Sequence, residues 1–489
     1  MPPADAPRPN ILIVMTDQQR ADTVPPRSRA VTPKLEAFAK RSHVFTNAHT
    51  VSPHCSPSRA SFFTSLYPSQ HRLRNNPLNG QALSQDLKPE AKLWSQGLSK
   101  AGYALHFTGK WHVSKNRDPR DFGWEEHDAI RLGSASENRE ATWDLIGKTK
   151  AERSQAPGSI KRKGYSDWTA YGASNGADID DELSQVAADQ IQNLAHSDRP
   201  WCYYVGFIGP HDPYKVPQRF LDLYPENTVD LPKSYHDDLS DKPNIYRRTR
   251  EQIWDQLSPA ESKESLRHYL AYCSKMDEHF GQILDALDES GQRKNTIVVF
   301  LSDHGDYAGD HGLWCKGIAA FEGAYRIPLM ISIPENKPQT IDAFTSICDI
   351  GPTLLEAVGI EYSKNEYAGR SLLPLLDQSE TQLAWRDSIC YQCDGVELYY
   401  TQRAIVTRQW KYVFNGFDYD ELYDLVNDPD EQNNLARQEG SQTIIQDLCA
   451  RLWKFAKSVD DTPISEYITV ALAPIGPRAA RSFDSNNKR

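Results

Sequence analysis

Cys55 stands in the run His54-Cys55-Ser56-Pro57-Ser58-Arg59-Ala60-Ser61-Phe62-Phe63-Thr64-Ser65-Leu66. Pro57 and the flanking serines can open a helix through Leu66, which places the thiol beside the positive end of the helix dipole. Such a position lowers a thiol's pKa and suits an anionic substrate. Four further clusters carry chemistry: Asp17-Gln18, Gly109-Lys110-Trp111-His112, Pro210-His211-Asp212-Pro213 and Asp303-His304-Gly305-Asp306. Carboxylates and imidazoles can ligate a cation or move protons, and lysines can stabilise anionic oxygens. Each residue taken singly has an ordinary alternative. His112 can be a hydrogen-bonded structural histidine, Lys110 a surface lysine and Asp303 a helix cap, while Asp306, Asp310 and His311 read first as a polar loop held by Gly309 and Gly312.

The elements that must position these clusters alternate. Four β-like runs, Asn10–Thr16, Tyr103–Thr108, Trp201–Ile208 and Thr296–Ser302, each lead into one of the four clusters. Helical patterns lie between them at Pro33–Lys40, Glu90–Ala101, Asp181–Ala195 and Glu264–Leu287. Near-continuous apolar strands alternating with helices predict an α/β fold, a large mainly parallel sheet sandwiched by helices. In such sheets ligands bind beyond the carboxyl ends of the strands. After the helix predicted over Asp349–Gly359 the character changes. Strand-like runs at Ser388–Gln392, Arg403–Thr407 and Trp410–Phe414, then a helix near Thr443–Phe455, predict a smaller C-terminal α+β domain. The expected division is 1–374 and 375–489, the latter ending in an extended tail. Two polar stretches, 131–180 and 224–261, hold the basic triplets Lys161-Arg162-Lys163 and Arg247-Arg248-Thr249-Arg250. Their default reading is solvated surface; the alternative is a wall that meets an anionic substrate.

The 489 residues carry 66 acidic and 55 basic side chains, a net charge of −11. That balance argues against a general nucleic-acid binder, and no apolar run approaches the roughly 18 residues of a membrane span. Ile11 to Met15 is too short for a secretion signal, so the chain reads as cytoplasmic, or as secreted or periplasmic if a signal preceded this numbering. Eight cysteines in such a length do not make a disulfide scaffold. Cys390-Tyr-Gln-Cys393 is read as a strand with two ordinary cysteines, against a weak metal or redox motif.

Cys55-Ser-Pro-Ser-Arg59 followed by a small-residue helix resembles the signature of type I sulfatases of the alkaline phosphatase superfamily, in which the cysteine becomes Cα-formylglycine. Asn10–Gln18, Gly109-Lys110-Trp111-His112, Gly209-Pro210-His211 and Ser302-Asp303-His304-Gly305 resemble further family motifs. Lys316, Gly369-Arg370-Ser371 and the stretch from Trp410 to Pro429 match in order, so the resemblance covers roughly residues 9–440. It implies an alkaline-phosphatase-like fold, hydrolysis of the sulfate ester of a carbohydrate or other small alcohol, and maturation by a formylglycine-generating enzyme. It implies a divalent metal, Ca²⁺ or alternatively Mg²⁺ or Mn²⁺, on Asp17, Gln18, residue 55, Asp303 and His304. By the same resemblance hydrated formylglycine attacks sulfur while Arg59, Lys110 and Lys316 stabilise the sulfuryl oxygens. His211 or Lys316 then protonates the leaving alcohol, His112 takes a proton from the second hydroxyl to expel sulfate, and Asn76 lies beside the nucleophile. The alternatives are a phosphonate monoester or phosphodiester hydrolase, a choline-sulfatase-like enzyme, and a non-catalytic glycan-binding protein on the same scaffold. No nucleic-acid or membrane partner is expected; a homo-oligomer is compatible.

Overall fold

The strand Asn10–Thr16 is buried along its whole length. Its side chains alternate between two cores, Leu12 and Val14 facing one and Ile11, Ile13 and Met15 the other. This is why its sequence is apolar without interruption: a strand covered on both faces has no polar side. It pairs in parallel with Thr296–Ser302 on one side and with Trp201–Gly206 on the other, and Ala104–Gly109 extends the parallel set. The structure is a computed structural model, and it describes residues 8–78, 82–127, 156–161, 168–174, 176–376, 385–396, 398–465 and 471–477.

Eight strands make the main sheet, in the order Thr340–Ile341, His43–Phe45, Leu329–Ser332, Thr296–Ser302, Asn10–Thr16, Trp201–Gly206, Ala104–Gly109 and Glu125–Glu126. Leu329–Ser332 runs antiparallel to both neighbours, so the sheet is mixed with a parallel centre. Pro33–Ala39, Ile179–Leu194 and the 31-residue helix Pro259–Glu289 cover one face. Cys55–Thr64, Ser95–Lys100 and Ile350–Ala357 cover the other.

A second, antiparallel sheet runs Ser388–Cys393, Gln402–Thr407, Trp410–Asn415, Glu421–Asp424. One of its faces (Cys390, Ile405, Tyr412, Phe414, Leu422) packs on the helix Gln442–Ser458 through Leu448, Cys449 and Leu452. The other face, with Ile389, Tyr391, Ala404 and Val406, joins the core under the main sheet. Cys390 and Cys393 fall on opposite faces of one strand, and all eight cysteines are free. Most of 131–180, including Arg162 and Lys163, lies outside the described residues, as do 377–384, beside the expected boundary at 375. Arg247 pairs with Glu251 (3.6 Å) as solvated surface charges do, whereas Arg250 is mostly buried, pairing with Asp255 (3.0 Å) and donating to the Asp237 and His311 carbonyls. No helix among the described residues is long and apolar enough to cross a membrane.

Candidate active site

Register assembles the site. Thr16 lies beside Ser302, Met15 beside Gly206, and Gly109 beside Gly206. The segments carrying Asp17, Lys110, His211 and Asp303 therefore all leave from one edge, the carboxyl end of the parallel strands. Gly109 has φ 91°, and a Cβ there would sit 2.0 Å from the Gly206 carbonyl, so only glycine lets the two strands close here. Lys110 N–H donates to that same carbonyl at 2.8 Å, which fixes where its side chain starts. Cys55 is the first residue of the helix Cys55–Thr64, preceded by extended His54, and every residue of the helix is buried.

Asp17, Cys55, Asp303 and His304 are all buried, and one ligand atom from each lies within 4.8 Å of the others. A second atom of Asp17, Asp303 and His304 is in each case held by a neighbour. Arg59 donates from Nη2 to Asp17 Oδ2 (3.1 Å) and from Nε to Asp303 Oδ2 (2.8 Å), and Lys110 Nζ donates to Asp17 Oδ2 (2.5 Å). Asp17 Oδ1 is left 3.7 Å from Cys55 Sγ and 3.6 Å from His304 Nε2. His304 Nδ1 donates to the Gly305 carbonyl at 2.8 Å, which aims Nε2, 3.2 Å from Cys55 Sγ, toward the cluster; burial lowers the imidazole, but Asp303 and Cys55 outweigh it and push the imidazole up. Burial and the neighbouring Asp17 carboxylate push the Asp303 carboxyl up. Two buried carboxylates, an imidazole turned toward them and the residue 55 side chain make a donor set that fits a divalent cation, which relieves that repulsion.

Cations surround position 55. Burial alone pushes the thiol up, yet Lys110, Lys316 and His304, with a hydrogen bond from His112, hold it well below the ordinary thiol range. Burial and Cys55 push Asp17 up, and Lys110, His211 and Arg59 outweigh both to keep it ionised. Burial keeps the His112 imidazole below its usual pKa, so it is neutral beside residue 55. Lys316 Nζ donates to His211 Nε2 at 2.6 Å and also to Gln18 Oε1, while His211 Nδ1 donates to the Asp212 carbonyl at 2.7 Å. Burial lowers the Lys316 ammonium, but Cys55, Asp17 and Asp212 raise it above its ordinary value.

The structure thus brings Cys55, Arg59, Lys110, His112, His211 and Lys316 together with Asp17, Asp303 and His304. Gln18 sits differently from its expected place, and Asn76 lies next to position 55. Gln18 turns its amide away from the cluster, Nε2 donating to Asp306 Oδ2 (2.6 Å) and Asp212 Oδ1 (3.0 Å). It meets the metal-ligand group through its backbone N–H, 3.2 Å from Asp303 Oδ1. Asn76 accepts from the Ser56 N–H at 3.2 Å, capping the first turn of the Cys55 helix. Arg59 is fully buried and bridges the two carboxylates, its Nη1 also donating to the Lys110 carbonyl (2.9 Å) and the Tyr204 hydroxyl (3.0 Å).

Sequence reasoning missed the supports. Asp180 accepts from Ile208 N–H (2.9 Å) and Gly209 N–H (2.7 Å), which anchors the His211 loop to the helix Ile179–Leu194. Asp306 is buried and accepts from Gln18, from the Tyr214 hydroxyl (2.5 Å) and from Ala308 N–H (2.7 Å). Asp310 and His311 do belong to a separate polar network, paired with Arg20 (2.6 Å) and Asp237 (2.7 Å). They line a cavity of about 490 Å³ that none of the Cys55 cluster borders.

Comparison with known proteins agrees with this geometry. A family model described as Sulfatase matches residues 9–360, and one described as N-sulphoglucosamine sulphohydrolase, C-terminal, matches 309–458. The chain is 31% identical to a choline-sulfatase of Rhizobium meliloti (strain 1021), over 91% of this chain and 87% of that protein. It is 29% identical to an uncharacterized sulfatase of Escherichia coli, over 88% and 83%. Among solved structures, a phosphonate monoester hydrolase from Silicibacter pomeroyi superposes with a TM-score of 0.76 over 94% of this chain and 97% of that one; at 22% identity this shows the alkaline-phosphatase-like fold. With its motifs gathered at one sheet edge and the family model spanning most of its length, this chain belongs to the sulfatase family of sulfuric ester hydrolases.

Proposed function

We propose that this chain hydrolyses the sulfate monoester of a carbohydrate or another small alcohol. The nucleophile is formylglycine made from Cys55 by a formylglycine-generating enzyme. A divalent cation, Ca²⁺ in the first instance and Mg²⁺ or Mn²⁺ as alternatives, belongs on Asp17, residue 55, Asp303 and His304. The observation that carries the reading is the enclosure of position 55: Lys110, Lys316 and His304 act on that one side chain by charge, and His112 by a hydrogen bond. Such a cradle stabilises the oxyanions of a sulfuryl group in a water-poor site.

When present, the formylglycine hydrate supplies a nucleophilic hydroxyl and the cation polarises it. Around that chemistry this chain's residues have separable tasks. Arg59 clamps Asp17 and Asp303 in place. Lys110, already on Asp17, and Lys316 face the sulfate oxygens. The Lys316–His211 pair holds a proton at 2.6 Å between two nitrogens and delivers it to the departing alcohol. His112, kept neutral by burial, accepts a proton from residue 55. Residues 1–374 form the catalytic unit in this reading, and 375–489 close against it, Gln392 N–H donating to the Val51 carbonyl at 2.8 Å.

Turnover of 4-nitrophenyl sulfate, choline sulfate, sulfated monosaccharides and a 4-nitrophenyl phosphonate monoester tests the proposal. The sulfates are expected to lead in kcat/KM; a large preference for the phosphonate would overturn the assignment, and a preference for choline sulfate would narrow the alcohol.

A further inference from the structure

The outer edge of the main sheet holds a second group of metal-ligating side chains. His106 lies in the strand Ala104–Gly109, and its register partner on the two-residue strand Glu125–Glu126 is Glu125. Registered residues on neighbouring strands share a face, as do residues two apart along one strand, so Glu125 and His127 project beside the His106 ring. The ladder continues past the short strand: His127 N–H donates to the Phe107 carbonyl and Thr108 Oγ1 to the His127 carbonyl, both at 2.8 Å. His127 is therefore fixed by its backbone, independently of its side chain.

The three side chains converge. His106 Nδ1 and His127 Nε2 are 3.0 Å apart, with the rings stacked at 25°. Glu125 places one carboxylate oxygen 3.5 Å from His106 Nδ1 and the other 3.9 Å from His127 Nε2. A tetrahedral ion with bonds of about 2.0–2.1 Å has ligand–ligand edges of about 3.3–3.4 Å. The nitrogen–nitrogen separation of 3.0 Å and the nearest nitrogen–oxygen separation of 3.5 Å bracket that value, and one ligand atom from each of the three residues lies within 4.8 Å of the others. A hydrogen bond between two imidazoles accounts for the first distance alone and does not bring a carboxylate over both nitrogens. An imidazole is mostly neutral above its ordinary pKa of about 6.5, so each ring can offer a lone pair. Another acid–histidine group, Asp178, Asp181 and His279, is already filled by the Lys275 ammonium at 2.5 and 3.0 Å from the carboxylates. Among the described residues no such cation occupies the His106 group.

We propose that His106, Glu125 and His127 bind a borderline divalent cation of the Zn²⁺ class, with water completing its coordination. Two imidazoles and one carboxylate favour Zn²⁺ over Ca²⁺ or Mg²⁺, which take oxygen ligands. The ion clasps a two-residue edge strand to its neighbour. Binding only the folded chain, it stabilises the fold by mass action. The inference is independent of the reaction at Cys55.

The test uses the full chain in excess Ca²⁺, equilibrated with low-micromolar Zn²⁺, with bound zinc counted by mass spectrometry and melting followed with and without zinc. H127Q and E125Q are the variants, because both side chains reach solvent and neither lies in the catalytic cluster. One zinc per chain, a zinc-dependent rise in Tm, a loss of affinity of about 10–100-fold in each variant and unchanged aryl sulfate turnover are expected. Zinc uptake and a Tm rise that persist undiminished in both variants would place the zinc elsewhere and overturn the proposal; so would no zinc uptake by the unaltered chain.

Discussion

Asp306 acts on the reaction centre through one amide. Its carboxylate accepts from Gln18 Nε2, which turns Gln18 Oε1 toward Lys316, and Lys316 in turn meets His211. An asparagine at 306 cannot accept from Ala308, Tyr214 and Gln18 at once, since one of its two polar atoms is a donor. D306N should therefore release the Gln18 amide and leave Lys316 without a fixed acceptor. The expected loss in kcat/KM is about 10–100-fold, the cost of one buried polar mismatch. It should be largest for alkyl sulfates, whose leaving groups need the proton, and small for 4-nitrophenyl sulfate. Equal losses on both substrates would assign Asp306 a structural part only. Asp17, Lys110, Asp303 and His304 stood out in the sequence because each follows a readable strand, and Cys55 and Arg59 because they open a helix; Lys316 came only with the family resemblance. Asp180, Tyr204 and Tyr214 did not, nor did the tie from Asp306 to Gln18, because the partners lie dozens to hundreds of residues away and only the folded backbone brings them near.

At the scale of elements, helices hold one another by their ends. Asp277, on the long helix Pro259–Glu289, accepts from Leu35 N–H (2.7 Å) and Lys34 N–H (3.0 Å), capping the helix Pro33–Ala39 from outside. Burial outweighs those two hydrogen bonds and raises the Asp277 carboxyl to about 6. A group raised on folding holds its proton more tightly in the folded chain, so its contribution is full below the unfolded value, near 4, and is lost as pH rises through about 6. D277N, a copy that never ionises, lacks this term. Its deficit in unfolding free energy against the unaltered chain, from denaturant melts, should shrink as pH goes from 4 to 8, by an amount on the order of 1–3 kcal/mol; a deficit independent of pH would contradict the assignment. Seven strands and most of the longer helices were legible because apolar runs and helical spacing are local signals. The helix expected over Glu90–Ala101 shortened to Ser95–Lys100, since Trp94 N–H donates to the Phe63 carbonyl and not to a helical partner. The long helix begins at Pro259, five residues before the expected start, under a Ser258–Glu261 capping box that the sequence did contain. Leu329–Ser332 and Glu421–Asp424 escaped notice because strands of four residues carry too little periodicity.

The whole molecule joins its two sheets next to the reaction centre. Tyr391 meets His49 at 2.7 Å, Gln392 accepts from Ser69 N–H at 2.9 Å, and Arg403 binds Asp461 (2.6 Å) and Asp394 (2.9 Å) in the interior. The change in character after residue 375 was readable, whereas the sharing of one core by both sheets was not, because alternation along a strand shows two buried faces without showing what covers each. What the assembled molecule is built around is residue 55, and the account stands on its conversion. The mass of the peptide containing Cys55, from catalytically active protein made in its own host, measures this directly. The account predicts a peptide lighter by about 18 Da than the thiol form, the loss that turns a thiol into an aldehyde. Active protein whose Cys55 peptide is entirely unmodified would contradict it.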